Sequence, residues 1–125
     1  MKEELLNLAK QRRSIYALGK QVDQDNNEIA TLIKETMKAA PSAFNSQTTR
    51  AVIAFGEGHD QVWEIVRAAL RKVVEDDDAF AKTSAKIDPF KAAYGTVLYF
   101  TDTDIVHNLE EQFPSYADNF YDWSE

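Results

Sequence analysis

Pro41 constrains this chain more than any other residue, because it fixes where one helix must stop. Proline cannot donate to the helical hydrogen-bond ladder, and its ring pushes the preceding residue, Ala40, out of helical geometry. The other end of that helix is equally well marked. Asp25-Asn26-Asn27-Glu28 has the form of a capping box, with Asp25 as N-cap and Glu28 reaching back from the third helical position. Between these signals Ile29, Leu32, Ile33, Met37 and Ala40 recur at i, i+3, i+4 spacing, while Thr31, Lys34, Glu35 and Lys38 take the other side. A firmly bounded amphipathic helix is expected, ending at the proline.

The segment beyond Pro41 is a polar loop. Ser42, Asn45, Ser46, Gln47, Thr48 and Thr49 bring donors and acceptors together before an apolar run begins near Arg50. Asn and Gln each offer an amide donor and a carbonyl acceptor, a combination suited to the edge of a heterocycle. An ordinary helix-to-strand connector would be polar too, so composition leaves both readings open. Val52-Ile53-Ala54-Phe55 is apolar on both faces, as a central strand would be, and Gly56-Glu57-Gly58 is expected to turn it.

A second polar cluster lies upstream. Residues 1 to about 13 read as a helix with Leu5, Leu8, Ala9 and Arg12 at helical spacing, closed by Arg12-Arg13-Ser14. Two guanidiniums beside a hydroxyl make an oxyanion receptor, since Arg grips phosphate through a fork of parallel hydrogen bonds. The same arginines would also suit a helix C-terminus by charge alone. Ile15 to Leu18 looks extended and ends at Gly19.

Downstream, His59-Asp60 is expected to open a third helix with Val62, Trp63, Ile65, Val66, Ala69, Leu70 and Val73 spread widely around it, either deeply buried or in a subunit contact. Glu75 to Asp78 reads as a solvated acidic turn. Residues 79–86 form a helical segment interrupted by Asp88-Pro89, and residues 95–100 form a second short strand. Asp102 or Thr103 caps a last helix that Pro114 stops. The tail beyond it carries Tyr116, Phe120, Tyr121 and Trp123 with nothing obvious to cover them.

Composition narrows the function. The chain has 125 residues, 44% of them hydrophobic, which implies one folded domain over 1–125. A net charge of −7 disfavours binding to a phosphate backbone. With no cysteine there is no thiolate nucleophile, disulfide framework or Cys-based metal site. His59 and His107 have no partner at metal-ligand spacing and read as ordinary histidines. No glycine-rich phosphate loop or nucleophile elbow is present. No signal peptide or membrane span is evident, so a cytoplasmic location is expected. Helices interleaved with a few apolar strands fit an α+β layered domain.

Helix-Arg-Arg-Ser, followed by a capped helix into Ala-Pro-Ser-x-x-Asn-Ser-Gln and a strand, resembles the FMN-dependent nitroreductase family, above all its fatty-acid-repression and CinD-like subgroup. The resemblance implies an α+β fold with a central sheet flanked by helices. It implies a homodimer that moves two electrons from NAD(P)H through FMN to a nitroaromatic, quinone or similar acceptor. By that likeness Arg12 and Ser14, with Arg13 beside them, would hold the FMN phosphate and ribityl chain. Pro41, Ser42, Asn45 and Gln47 would come from the partner subunit to cover the flavin ring, and Lys86 would approach it. Tyr16 stands where many members carry a basic residue. Members are substantially longer, with a C-terminal part that adds strands, phosphate contacts and an exchanged segment, so this chain corresponds to their N-terminal portion. The competing expectation is a non-enzymatic regulatory or interaction relative, or a fragment, that keeps the fold without a working flavin.

Overall fold

The computed structural model describes residues 1–119. These fall into two compact units, Met1–Gln21 with Asp60–Tyr94, and Val22–His59 with the chain from Gly95 onward.

In the first unit, α1 spans Lys2–Gln11 and none of its residues is buried. It stops where Arg12 turns to ψ 124°, its amide still donating to the Leu8 carbonyl. Residues 12–18 pair with no strand among the described residues, so the extended run expected at Ile15–Leu18 is an irregular segment. The greater part of α3 (Gly56–Val73) lies against α4 (Asp77–Lys91). Trp63 stacks on Phe90 at 5.0 Å between ring centroids, and Ile87 and Ala93 are buried. Arg67 fastens the two helices, donating to the Ser84 carbonyl and hydroxyl and pairing with Asp88 at 2.7 Å. Lys91 pairs with Glu64 at 2.8 Å, and Lys20 reaches both Asp60 and the Lys91 carbonyl.

Three expectations are corrected in these helices. α3 begins at Gly56, directly after the strand, and not at His59. Gly56 makes this possible with a φ of 54°, the left-handed region that only glycine enters freely. The acidic run is no mere turn: Asp76 caps α4, its carboxylate accepting from Ala79 N at 2.7 Å. Finally, Pro89 does not interrupt α4. It removes one ladder bond, but the Phe90 ring, the Asp88–Arg67 pair and the Lys91–Glu64 pair hold the last turn in place.

The second unit is built on α2 (Asn26–Ala39), β1 (Thr49–Phe55), β2 (Gly95–Thr101) and α5 (Thr103–Gln112). The capping box forms as expected, with Glu28 N donating to Asp25 at 2.8 Å and Asp25 N donating to Glu28 at 3.0 Å. β1 and β2 pair antiparallel, from Thr49 opposite Thr101 to Phe55 opposite Gly95. Val52 is 54% exposed, so β1 is not buried on both faces, and among the described residues it pairs with β2 alone. Gly95 is required at its end of the ladder, because a Cβ would stand 2.9 Å from both the Ala54 carbonyl and the Phe55 ring. Val106, Thr48 and His59 are fully buried and form the centre of this unit, with His59 Nδ1 2.8 Å from the Thr96 hydroxyl. Of the aromatic tail, Tyr116 is exposed in a short 3₁₀ segment, while Phe120, Tyr121 and Trp123 lie outside the described residues.

Candidate functional site

The loop after α2 is held by its own polar groups. Ala40, ahead of the proline, takes an extended ψ of 133°. Next comes a single 3₁₀ turn at Ala43–Asn45, with Asn45 N donating to the Ser42 carbonyl and Ser46 N to the Ala43 carbonyl, both at 3.0 Å. The Ser42 hydroxyl accepts from Gln47 N at 3.0 Å, and the Gln47 amide donates to Asn45 Oδ1 at 3.2 Å. Ser42, Asn45 and Gln47, which the family resemblance picks out of the polar loop, are therefore one hydrogen-bonded group.

This geometry is not relaxed. Phe44, Asn45 and Gln47 have φ of 54°, 52° and 52°. Asn visits that region at little cost, but a bulky aromatic there is a real outlier, and such residues each cost on the order of 1–3 kcal/mol. Phe44 is compensated by stacking on Phe113 at 5.0 Å and leaning against Tyr116 at 6.1 Å. The hydroxyls of Ser46 and Thr48 are buried with no hydrogen-bond partner among the described residues.

Arg50 anchors the downstream end. Its Nη1 donates to the Gln47 carbonyl at 2.7 Å and the Thr49 carbonyl at 3.1 Å, while Nη2 pairs with Asp102 at 3.2 Å. Asp102 in turn caps α5 and donates its backbone N–H to the Thr48 carbonyl at 2.8 Å. Residue type alone assigns Arg50 no role and marks Asp102 only as a cap. The two stand 52 residues apart, and no local spacing marks the pair.

Between α2 and the sheet opens a cleft of about 1310 Å³, lined by Ile33 and Met37 of α2, Tyr99 of β2, and Pro41, Ser42 and Gln47 of the loop. Lys34, Lys38 and Arg50 also border it, and no carboxylate among the described residues does. Lys38 is paired with Glu35 at 2.9 Å and Arg50 with Asp102 at 3.2 Å, so most of the positive charge at the cleft is balanced.

The remaining predicted residues lie in the first unit. Arg12, Arg13 and Ser14 are exposed on the irregular segment after α1, and no described residue forms an ion pair or hydrogen bond with their side chains. Lys86 is exposed in the middle of α4. The predicted set is thus divided: the loop residues are assembled within one unit, and the arginine–serine cluster and Lys86 belong to the other. No described group of His, Asp or Glu could hold a metal ion.

The chain belongs to the nitroreductase family, a class of oxidoreductases: the Nitroreductase family model matches residues 9–125. It is 44% identical to the nitroreductase CinD from Lactococcus lactis, solved in complex with chloramphenicol, with a TM-score of 0.79 over 95% of this chain and 59% of that one. A nitroreductase structure from Saccharomyces cerevisiae is 30% identical with a TM-score of 0.78, over 99% of this chain and 67% of that one. Among curated proteins, the putative nitroreductase HBN1 of the same yeast is 36% identical over 111 residues, 87% of this chain. The chain spans little more than half the length of such relatives, 54% of HBN1 and 57% of the yeast nitroreductase FRM2. The helix-rich α+β architecture with a small sheet agrees with the fold expected from the sequence.

Proposed function

We propose that this chain carries the flavin-binding residues of a cytoplasmic, homodimeric FMN-dependent oxidoreductase that passes two electrons from NAD(P)H to a nitroaromatic, quinone or similar acceptor. The observation that carries this reading is the state of Arg12, Arg13 and Ser14. In a chain with 21 acidic residues, two adjacent exposed arginines have no carboxylate partner among the described residues. Their donor set fits a phosphate monoester, which needs several charge-assisted N–H and O–H donors and no acceptor.

The loop fits the other end of the same group. Asn45 and Gln47 keep amide and carbonyl functions on a turn fixed by hydrogen bonds, and such a turn can present them to a heterocycle edge without first ordering itself. FMN, when bound, supplies the redox chemistry, which is why no nucleophile or metal need be found in the protein. The chain's own residues then have three tasks. Arg12, Arg13 and Ser14 hold the phosphate; Pro41, Ser42, Asn45 and Gln47 orient the ring from the partner subunit; Lys86 supplies a cation toward it. The complex of the Lactococcus lactis relative with 4-nitrophenol supports a nitroaromatic as the acceptor class.

Titration of the purified chain with FMN, followed by fluorescence quenching and the visible spectrum, tests the reading. Arg12→Ala is expected to weaken binding by about 1.5–3 kcal/mol, the usual value of a hydrogen bond to a charged group, or roughly ten- to a hundredfold. A colourless chain with no saturable FMN binding refutes the proposal for these 125 residues and favours a non-enzymatic relative or a fragment that retains the fold without functional flavin.

A further inference from the structure

We propose that Arg50 and Asp102 are positioning residues that hold the loop after Pro41 in its working conformation, an inference that rests on the flavin-site reading above. Arg50 stands at the start of β1 and Asp102 one residue beyond the end of β2, so the antiparallel register brings them side by side. Each makes a fork. Arg50 grips the carbonyls of Gln47 and Thr49 with one nitrogen and Asp102 with the other. Asp102 takes Arg50 on one carboxylate oxygen, accepts from Ile105 N on the other, and sends its backbone N–H to the Thr48 carbonyl. The carbonyls on both sides of the loop's exit are thereby tied to the rigid start of α5.

The need for such a brace comes from the backbone. Gln47 sits at φ 52°, and Phe44 and Asn45 are also left-handed, so the loop has more comfortable conformations to relax into. Ser42 constrains the Gln47 amide from one side, and Arg50 constrains the Gln47 carbonyl from the other. With that carbonyl released, the Gln47–Asn45 side-chain bond loses its fixed frame. The Arg50 side chain is 53% exposed and that of Asp102 31%, so the ion pair is too wet to contribute much global stability. Its effect is directional: it chooses among loop conformers.

This separation of loop order from fold stability gives the test. On the 125-residue chain, amide exchange of Asn45, Ser46 and Gln47 is measured by NMR, alongside thermal unfolding and FMN titration, for Arg50→Met, Arg50→Lys and Asp102→Asn. Arg50→Met is expected to speed exchange of the three amides about tenfold and to weaken FMN about tenfold, with the flavin absorption band altered and the melting temperature nearly unchanged. Asp102→Asn still caps α5 and should give an intermediate effect. Arg50→Lys, a point charge that cannot span both carbonyls and the carboxylate, should rescue only partly. The double variant Arg50→Met/Asp102→Asn should be no worse than Arg50→Met alone. Unchanged loop exchange in Arg50→Met overturns the brace, as does FMN loss that merely tracks a fall in melting temperature. Absence of FMN binding by the unsubstituted chain overturns the function proposed above instead, and the exchange comparison still decides whether the brace exists.

Discussion

Replacing Thr48 by valine is expected to stabilise this protein, although the change removes a polar group from the edge of its candidate site. Thr48 is fully buried, and its hydroxyl has no hydrogen-bond partner among the described residues. A hydroxyl taken out of water without compensation costs about 1–3 kcal/mol. Valine has the same branched shape and puts a methyl group where the hydroxyl was, adding on the order of 0.8 kcal/mol of apolar burial. The backbone carbonyl of Thr48, which accepts from Asp102 N at 2.8 Å, is untouched. Allowing for imperfect fit, the net gain should be about 1–2 kcal/mol. Urea unfolding at constant slope reads this as a midpoint raised by roughly 0.5–1 M. Thr48→Ser, which keeps the hydroxyl and deletes the methyl, should move the midpoint the other way by a comparable amount. If valine lowers the midpoint while serine preserves it, the hydroxyl is making a bond that matters, and the reasoning fails.

Two further substitutions probe the scaffold. Asp25→Ala deletes the acceptor for Glu28 N and should cost about 0.5–2 kcal/mol, seen as a lower unfolding midpoint and a smaller helical circular-dichroism signal. Glu64→Gln should flatten the acid limb of the stability curve. The hydrogen bond from Lys91, then its charge and that of Arg67, hold the Glu64 carboxyl below its ordinary 4.5, outweighing partial desolvation. A carboxyl lowered in the folded state contributes stability that is complete above the unfolded value of 4.5 and fades as pH falls through the lower folded one. Urea midpoints taken from neutral pH downward should therefore separate the two proteins above 4.5 and converge in stronger acid; parallel curves would contradict the assignment.

How far the sequence could be read depended on the range of the forces involved. α2 was fully legible, because its start and its stop are both local: a capping box closed within four residues, and a proline that bars the next turn. The residues of the loop were legible as chemical types, since an amide or hydroxyl is suited to hydrogen bonding wherever it lies. Their left-handed backbone was not, because nothing about Phe44 predicts a positive φ; it is the stack on Phe113, from the far end of the unit, that compensates. α4 failed for a related reason. The local cost of Pro89 predicts a break, but contacts from α3 to Asp88, Phe90 and Lys91 carry the helix past it. Arg50 and Asp102 illustrate the limit most plainly, as their meeting is created by strand register and by no spacing along the chain.

The direct passage from β1 into α3 at Gly56 has a consequence for how this part of the chain can change in length. With no linker between strand and helix, the direction of every side chain in the first turn of α3 is geared to the pleat of β1. One inserted residue would rotate that turn by about 100° and advance it by about 1.5 Å. His59 would then swing away from Thr96, and a buried imidazole would lose its 2.8 Å partner. A substitution at position 56 meets a different barrier: there is open space for a side chain, yet the positive φ strains any residue with a Cβ. The junction is therefore a fixed-length gear. Insertions and deletions over evolutionary time should be absent there.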